Sequence, residues 1–267
     1  MATMLPFLNS FRGLKPTARN IEPLKRFYRN AIASVPCSLL PTALKLPISP
    51  RLPFKFALQC HRKANLWSSE KELAWPKKGL ELDESYILPQ FNALDGKASP
   101  VDVRMAWDES GLGISFALTG KVHPLDCRVP MTDAGDFILL WLDMRDMRQV
   151  HRAGRGCHQF ALYPTGGGRK LNDPAVVPIP IHLAKENPRN MESSYFFVRS
   201  QITPDGYLLE CVFPADSLTD YRPEDYPTLG IAWKIQDKDL GEITLTVPEP
   251  APFSSDPSFW ETLELVE

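Results

Sequence analysis

From Val101 to Leu118, apolar and polar side chains alternate through one turn and out again. This period of two constrains the fold more than any other feature of the chain. Val101, Val103, Met105 and Trp107 alternate with Asp102, Arg104, Ala106 and Asp108. Asp108-Glu109-Ser110-Gly111 has the composition of a turn, and Leu112, Ile114, Phe116 and Leu118 then resume the alternation. Only an extended strand puts every second side chain on one face, so the segment predicts a β-hairpin. The 26 prolines among 267 residues argue against long helices and for short strands with stiff connections.

The same reading extends along the chain. Phe54, Phe56 and Leu58 alternate, and Tyr86 to Phe91 is a short apolar run. Phe137 to Leu142 is apolar on both faces, as a central strand would be. His158 to Tyr163, Tyr195 to Ile202, Tyr207 to Phe213, Leu229 to Ile235, Ile243 to Val247 and Trp260 to Val266 complete about ten strands. Thr203-Pro204-Asp205-Gly206 marks a second hairpin. Residues 164–191, rich in Gly, Pro and Asn, read as a long excursion between strands. Regularly spaced short strands predict an all-β, two-sheet antiparallel β-sandwich of jelly-roll-like form over residues 51–267.

Charge separates the first part of the chain from the rest. Residues 1–63 hold eleven basic residues and one acidic residue, Glu22. Set against the totals of 30 and 32, that leaves 19 basic and 31 acidic residues beyond position 63. An acidic body repels phosphate backbones, so nucleic acid is not an expected partner. Residues 1–50 read as a basic, proline-rich, poorly ordered extension. Ile21 to Val35 has the pattern of a brief basic amphipathic helix, which suits organelle targeting or export as well as a plain tail. No apolar run approaches the roughly 20 residues of a membrane-spanning helix. Five scattered cysteines with no closely spaced pair read as small core residues or free thiols. The oligomeric state is not legible.

The densest chemistry lies where an apolar strand turns abruptly into charge. After Phe137 to Leu142 come Asp143, Arg145, Asp146, Arg148, His151, Arg152, Arg155 and His158. A buried strand feeding a polar loop is how a rigid scaffold presents a binding surface.

Several phrases in order resemble the family 9-like carbohydrate-binding modules. Leu94-Asp95-Gly96 precedes the Val101 hairpin with its Trp107-Asp108 pair. Asp136-Phe-Ile-Leu-Leu-Trp-Leu-Asp143, Asp205-Gly-Tyr-Leu-Leu-Glu-Cys-Val-Phe-Pro214, Leu229-Gly-Ile-Ala-Trp-Lys-Ile-Gln-Asp237 and Asp256-Pro-Ser-Phe-Trp-Glu-Thr-Leu-Glu-Leu265 follow. The likeness spans about residues 54–267. It implies a β-sandwich that binds saccharides, commonly with structural calcium. On that basis Asp95, Asp133 and Asp136, with Asp237 and Asp239, are the candidate calcium ligands, although no contiguous calcium loop exists.

Saccharide recognition needs flat aromatic faces and fixed polar groups. Trp107, Trp141 and Trp233 lie in apolar phases and are expected in the core. Trp260 is out of phase with Leu263 and Leu265 and is expected to face solvent. Trp67 and Trp75, in loop-like sequence, are the stacking candidates. Asp143, Arg145, His151, Arg152, Arg155 and His158 are the polar candidates. Arginine forks suit vicinal hydroxyls or carboxylates, so an acidic or polar glycan is the expected ligand; an internal ion-pair network is the competing reading. Zinc at His151 and His158 would need a third ligand such as His123 or Asp143. The expected function is a non-catalytic saccharide-binding module. Two alternatives stand beside it. One is a haem-binding DOMON-type redox domain recruiting among Met131, Met144, His123 and His158. The other is a glycan-processing enzyme using a carboxylate pair such as Asp143 and Glu210.

Overall fold

The computed structural model of the protein describes residues 55–66, 79–91, 98–189, 192–245 and 251–267. Among them are eleven strands: β1 (Ala57–Arg62), β2 (Val101–Asp108), β3 (Gly111–Thr119), β4 (Phe137–Asp143), β5 (Cys157–Gly167), β6 (Asp173–Pro178), β7 (Phe197–Thr203), β8 (Gly206–Pro214), β9 (Thr228–Asp237), β10 (Gly241–Thr244) and β11 (Glu261–Val266). Only single turns of 3-10 helix interrupt them. No described helix is long and apolar enough to cross a membrane.

The strands bond in the order β6-β5-β4-β9-β11-β1-β2-β3-β8-β7, with β10 on β9. The sheet folds so that its halves face each other. Phe116 of β3 meets Trp233 of β9 edge-on, with ring centres 6.1 Å apart, and Phe160 of β5 lies 4.7 Å from Phe213 of β8. The all-β sandwich expected from the alternation is the fold. The seam adds a feature the alternation does not carry. β1 runs parallel to both neighbours, pairing Leu58 with Leu263 on one side and Arg62 with Trp107 on the other, while every other pairing between strands is antiparallel.

β4 is buried along its whole length because both of its faces are covered. Ile138, Leu140 and Leu142 enter the core between the halves. Phe137, Leu139 and Trp141 enter a second apolar cluster on the outer side, with Ala153, Ile181, Phe253 and Trp260. That cluster corrects the expectation for Trp260. It is 2% exposed, and its indole N–H donates to the Phe253 carbonyl. The chain before β11 and the β4–β5 loop cover a face that strand periodicity alone would leave to solvent. Trp107, Trp141 and Trp233 are buried as expected.

Two local expectations change. The Tyr86 to Phe91 run makes a single bridge, Ile87 to Arg104, after one 3-10 turn rather than a strand. Within the 164–191 excursion lies β6, despite Pro174 and Pro178. An edge strand bonded only to β5 tolerates prolines, whose missing N–H can point away from the ladder.

Candidate functional site

Strand direction gathers the chemistry at one end of the sandwich. β4 ends at Asp143 opposite Cys157 of β5 and Gly230 of β9. The β2–β3 turn and the exit of β8 reach the same end, because Gly111 pairs with both Asp108 and Pro214. The β8–β9 connection crosses over them. Its Tyr221 hydroxyl lies 2.7 Å from the Asp108 carbonyl and 3.1 Å from that of Gly111 and shares its one proton between them, which fastens the crossing to the hairpin.

Asp220 is the focus of this crossing. Its carboxylate accepts from the Arg145 guanidinium, and Arg155 Nε lies 3.4 Å away. Burial alone would raise the Asp220 carboxyl; Arg145 and Arg155 outweigh it and hold the group below the usual carboxylate range. The Arg145 and Arg222 guanidinium carbons lie 5.9 and 5.3 Å from the centre of the Tyr226 ring, within cation–π range. Arg155 and Arg222 are more than half exposed, and Arg222 also pairs with the exposed Asp225 at 3.2 Å. Across residues 223–227 lies a hollow of about 370 Å³ lined by Trp107, Glu109, Pro223, Glu224, Pro227, Leu265 and Glu267.

The other polar candidates divide among different tasks. Asp143 is 3% exposed, and its two oxygens accept the backbone N–H groups of Arg145 and Met147, shaping the loop. Burial pushes its carboxyl upward against those bonds. His158 is 1% exposed on the inner side of β5. Its Nε2 faces the Thr219 carbonyl at 3.4 Å, and its Nδ1 has no partner. His151 is exposed, with Nδ1 3.1 Å from both Asp256 and Ser258, and Arg152 donates to the Leu183 carbonyl. Arg145 and Arg155 therefore share one surface, while His151 and Arg152 engage other segments. Asp220, Arg222 and Tyr226 complete that surface but did not stand out in the sequence. They lie about 70 residues from Arg155, and only the proline-flanked polarity of Tyr221 to Pro227 marks them. Trp67, Trp75 and Asp95 lie outside the described residues.

The described residues named for the alternative chemistries lie in different parts of the fold. His151 and His158 have separate surroundings, and no described group of three or more His, Cys, Asp or Glu could hold a metal ion. Met131 and His123 precede β4 whereas Met144 and His158 follow it, so the length of that strand separates the two sets. Glu210, in β8, accepts the Leu80 N–H and faces Arg199, away from Asp143.

At the opposite end, Asp136 is fully engaged. Its Oδ1 accepts the Lys238 N–H; its Oδ2 accepts the Asp126 N–H and faces Lys121 Nζ at 3.2 Å. Asp133 is exposed and apart from this group. This end does not fit a calcium site, since the Lys121 ammonium stands among the carboxylates of Asp136, Asp237 and Asp239.

The molecule is thus a β-sandwich with a charged, aromatic surface at one end. Among solved structures, a family 9 carbohydrate-binding module from Caldicellulosiruptor kristjanssonii in complex with cellotriose is similar with a TM-score of 0.51 at 12% identity, over 78% of this chain and 93% of that one. A family 9 module from the same organism in complex with glucose aligns with a TM-score of 0.49 at 11% identity, over 79% and 95%. The first likeness establishes that the chain has the fold of a family 9 module. No protein-family model and no curated protein sequence matches the chain.

Proposed function

We propose that this protein is a non-catalytic saccharide-binding module that takes acidic or polar glycans at the arginine-rich end of its sandwich. The observation that carries this reading is the grouping of exposed Arg155 and Arg222 around Asp220 and Tyr226. Guanidinium forks donate in pairs to a uronate carboxylate or to adjacent hydroxyls. Asp220 and the glutamates of the neighbouring hollow accept from hydroxyl groups, and the half-buried Tyr226 ring offers apolar surface to sugar C–H groups. The fold shared with a module that holds cellotriose supports the saccharide class. The basic side chains favour acidic members of it.

A glycan array followed by calorimetry tests the proposal. Oligosaccharides containing uronic acids are expected to bind more tightly than neutral ones. Arg155→Ala should weaken the acidic ligand by about 10- to 100-fold, corresponding to roughly 1.5–3 kcal/mol for one charge-assisted hydrogen bond, without loss of folding. Trp75→Ala, at the tryptophan that the sequence marks as a stacking candidate, should weaken acidic and neutral ligands alike. Unchanged affinity in Arg155→Ala would remove the arginine end as the site, and an array with no retained glycan would remove the saccharide reading itself.

A further inference from the structure

The end opposite the arginines is closed by three buried charges, Lys121, Asp136 and Asp237, and a fourth, Asp239, that is partly buried. Antiparallel pairing of Phe137 with Gln236 sets Asp136 across from Asp237, where β4 begins and β9 ends. Like charges directly opposite each other on neighbouring strands repel, and Asp239 brings a third carboxylate two residues on. The side chain of Lys121 enters between them from the exit of β3. Its Nζ lies 2.6 Å from Asp237, 3.2 Å from Asp136 and 3.6 Å from Asp239. The Lys121 side chain is 3% exposed, and those of Asp136 and Asp237 are 2% and 1% exposed.

The carboxylates also gather backbone. Asp237 Oδ1 accepts the N–H groups of Asp239 and Leu240. Asp239 Oδ2 accepts those of Val122 and His123, while its Oδ1 pairs with the His123 ring. With the bonds to Asp126 and Lys238, the three side chains hold the β3–β4 loop and the β9–β10 turn against the strand ends. The positive charge at the centre determines whether this network holds. A buried carboxylate whose partner is removed costs far more than the pair contributes.

We infer that Lys121 is the resident cation of this end, its ammonium doing the work of a divalent ion among three converging carboxylates, so that closure of the sandwich is independent of metal. The ammonium supplies three hydrogen-bond donors and one charge. With the ammonium in place a calcium ion has no room among these carboxylates; with it gone, the carboxylate oxygens and water together could supply the six to eight oxygens that calcium takes. The inference concerns the scaffold and stands apart from the saccharide reading.

Thermal unfolding of the full chain in EDTA and in millimolar calcium chloride tests it, with terbium luminescence as a direct readout of ion binding. The wild type should unfold at the same temperature in both and should not sensitise terbium. Lys121→Ala, which removes the ammonium and opens space, should lose roughly 10 °C in EDTA. It should regain part of that loss in calcium and should bind terbium. If it fails to fold in EDTA, folding restored by calcium is the same result. The double variant Lys121→Ala/Asp237→Asn should be more stable in EDTA than Lys121→Ala alone, because one uncompensated charge has gone. A wild type stabilised by calcium, a Lys121→Ala variant indifferent to it, or a double variant no more stable than the single one would each overturn the inference.

Discussion

At the scale of the residue, His158 shows how position in a strand changes the role of a side chain. In the sequence it belongs to a run of charge, and the run reads as surface. In the fold it follows the alternation of β5 instead, falling in phase with Phe160 and Leu162, which face the core. Burial lowers its pKa from 6.5 to about 4, against the opposing pull of the Thr219 carbonyl and Asp220. The neutral ring is the folded form, so between about pH 4 and 6.5 the unfolded chain binds a proton that the folded chain does not. Stability contributed in this way is complete above 6.5 and is lost as pH falls toward 4, by at most about 3 kcal/mol. Asp143 and Asp146, raised by burial, work in the opposite direction. The test is therefore a difference: wild type and His158→Gln compared by urea unfolding at several pH values. The variant should lose less stability than the wild type on acidification from pH 6.5. Parallel pH profiles would show that the ring does not titrate as described. The tryptophans teach the same lesson from the other side. Trp107, Trp141 and Trp233 were legible as core because each sits among apolar residues of its own strand. Trp260 was not, because the Phe253 and Ala153 that bury it belong to covering segments with no period of their own.

At the scale of the element, the hairpins were the most legible parts of the chain, because turn chemistry and alternation agree. β2 and β3 span almost the residues that the pattern marks, and so do β7 and β8. β6 escaped because its prolines oppose a strand except at an edge, and edge position is a property of the sheet rather than of the segment. The arginine surface escaped in part for a related reason. Arg145 and Arg155 flank one loop, but the carboxylate that orients them comes from the β8–β9 crossing. Glycines at the hairpins make a sharper test. A Cβ on Gly206 would lie inside van der Waals contact of the Leu118 carbonyl oxygen, backbone that cannot move without disturbing the β3–β8 ladder. A Cβ on Gly154, in the β4–β5 loop, would meet nothing within 4 Å. Gly206→Ala should destabilise the protein by about 2 kcal/mol or more, whereas Gly154→Ala should be neutral or stabilising by a few tenths of a kcal/mol. Urea midpoints of the two variants measure the contrast. Equal effects would mean that the hairpin is not held as tightly to β3 as the register implies.

At the scale of the whole molecule, β1 is what makes one sheet of two halves. It lies between β11 and β2, and no other described strand joins the two groups in the bonding order. Nothing in its short alternation announces this, since parallel pairing is decided by what lies beside a strand. If the seam is intact until global unfolding, the halves should lose structure together. Buried free cysteines report on each part: Cys157 on β5 in one half, Cys211 on β8 in the other and Cys60 on β1 at the seam. Thiol labelling across a urea gradient, read by mass spectrometry, should give one midpoint for all three. Leu58, on β1, is 1% exposed in the core shared by both halves. Leu58→Ala should cost about 2–5 kcal/mol and move the three midpoints by the same amount. If Cys211 became reactive before Cys157 in that variant, the halves would be separate cooperative units. The arginine surface, which draws Arg145 and Arg155 from one half and is fastened by Tyr221 to the β2–β3 turn of the other, would then be lost before the outer cluster around Trp141 unfolded. A single midpoint ties the surface to the whole fold: a ligand held there would stabilise both halves equally, and its affinity could be read from the shift of any one of the three thiols.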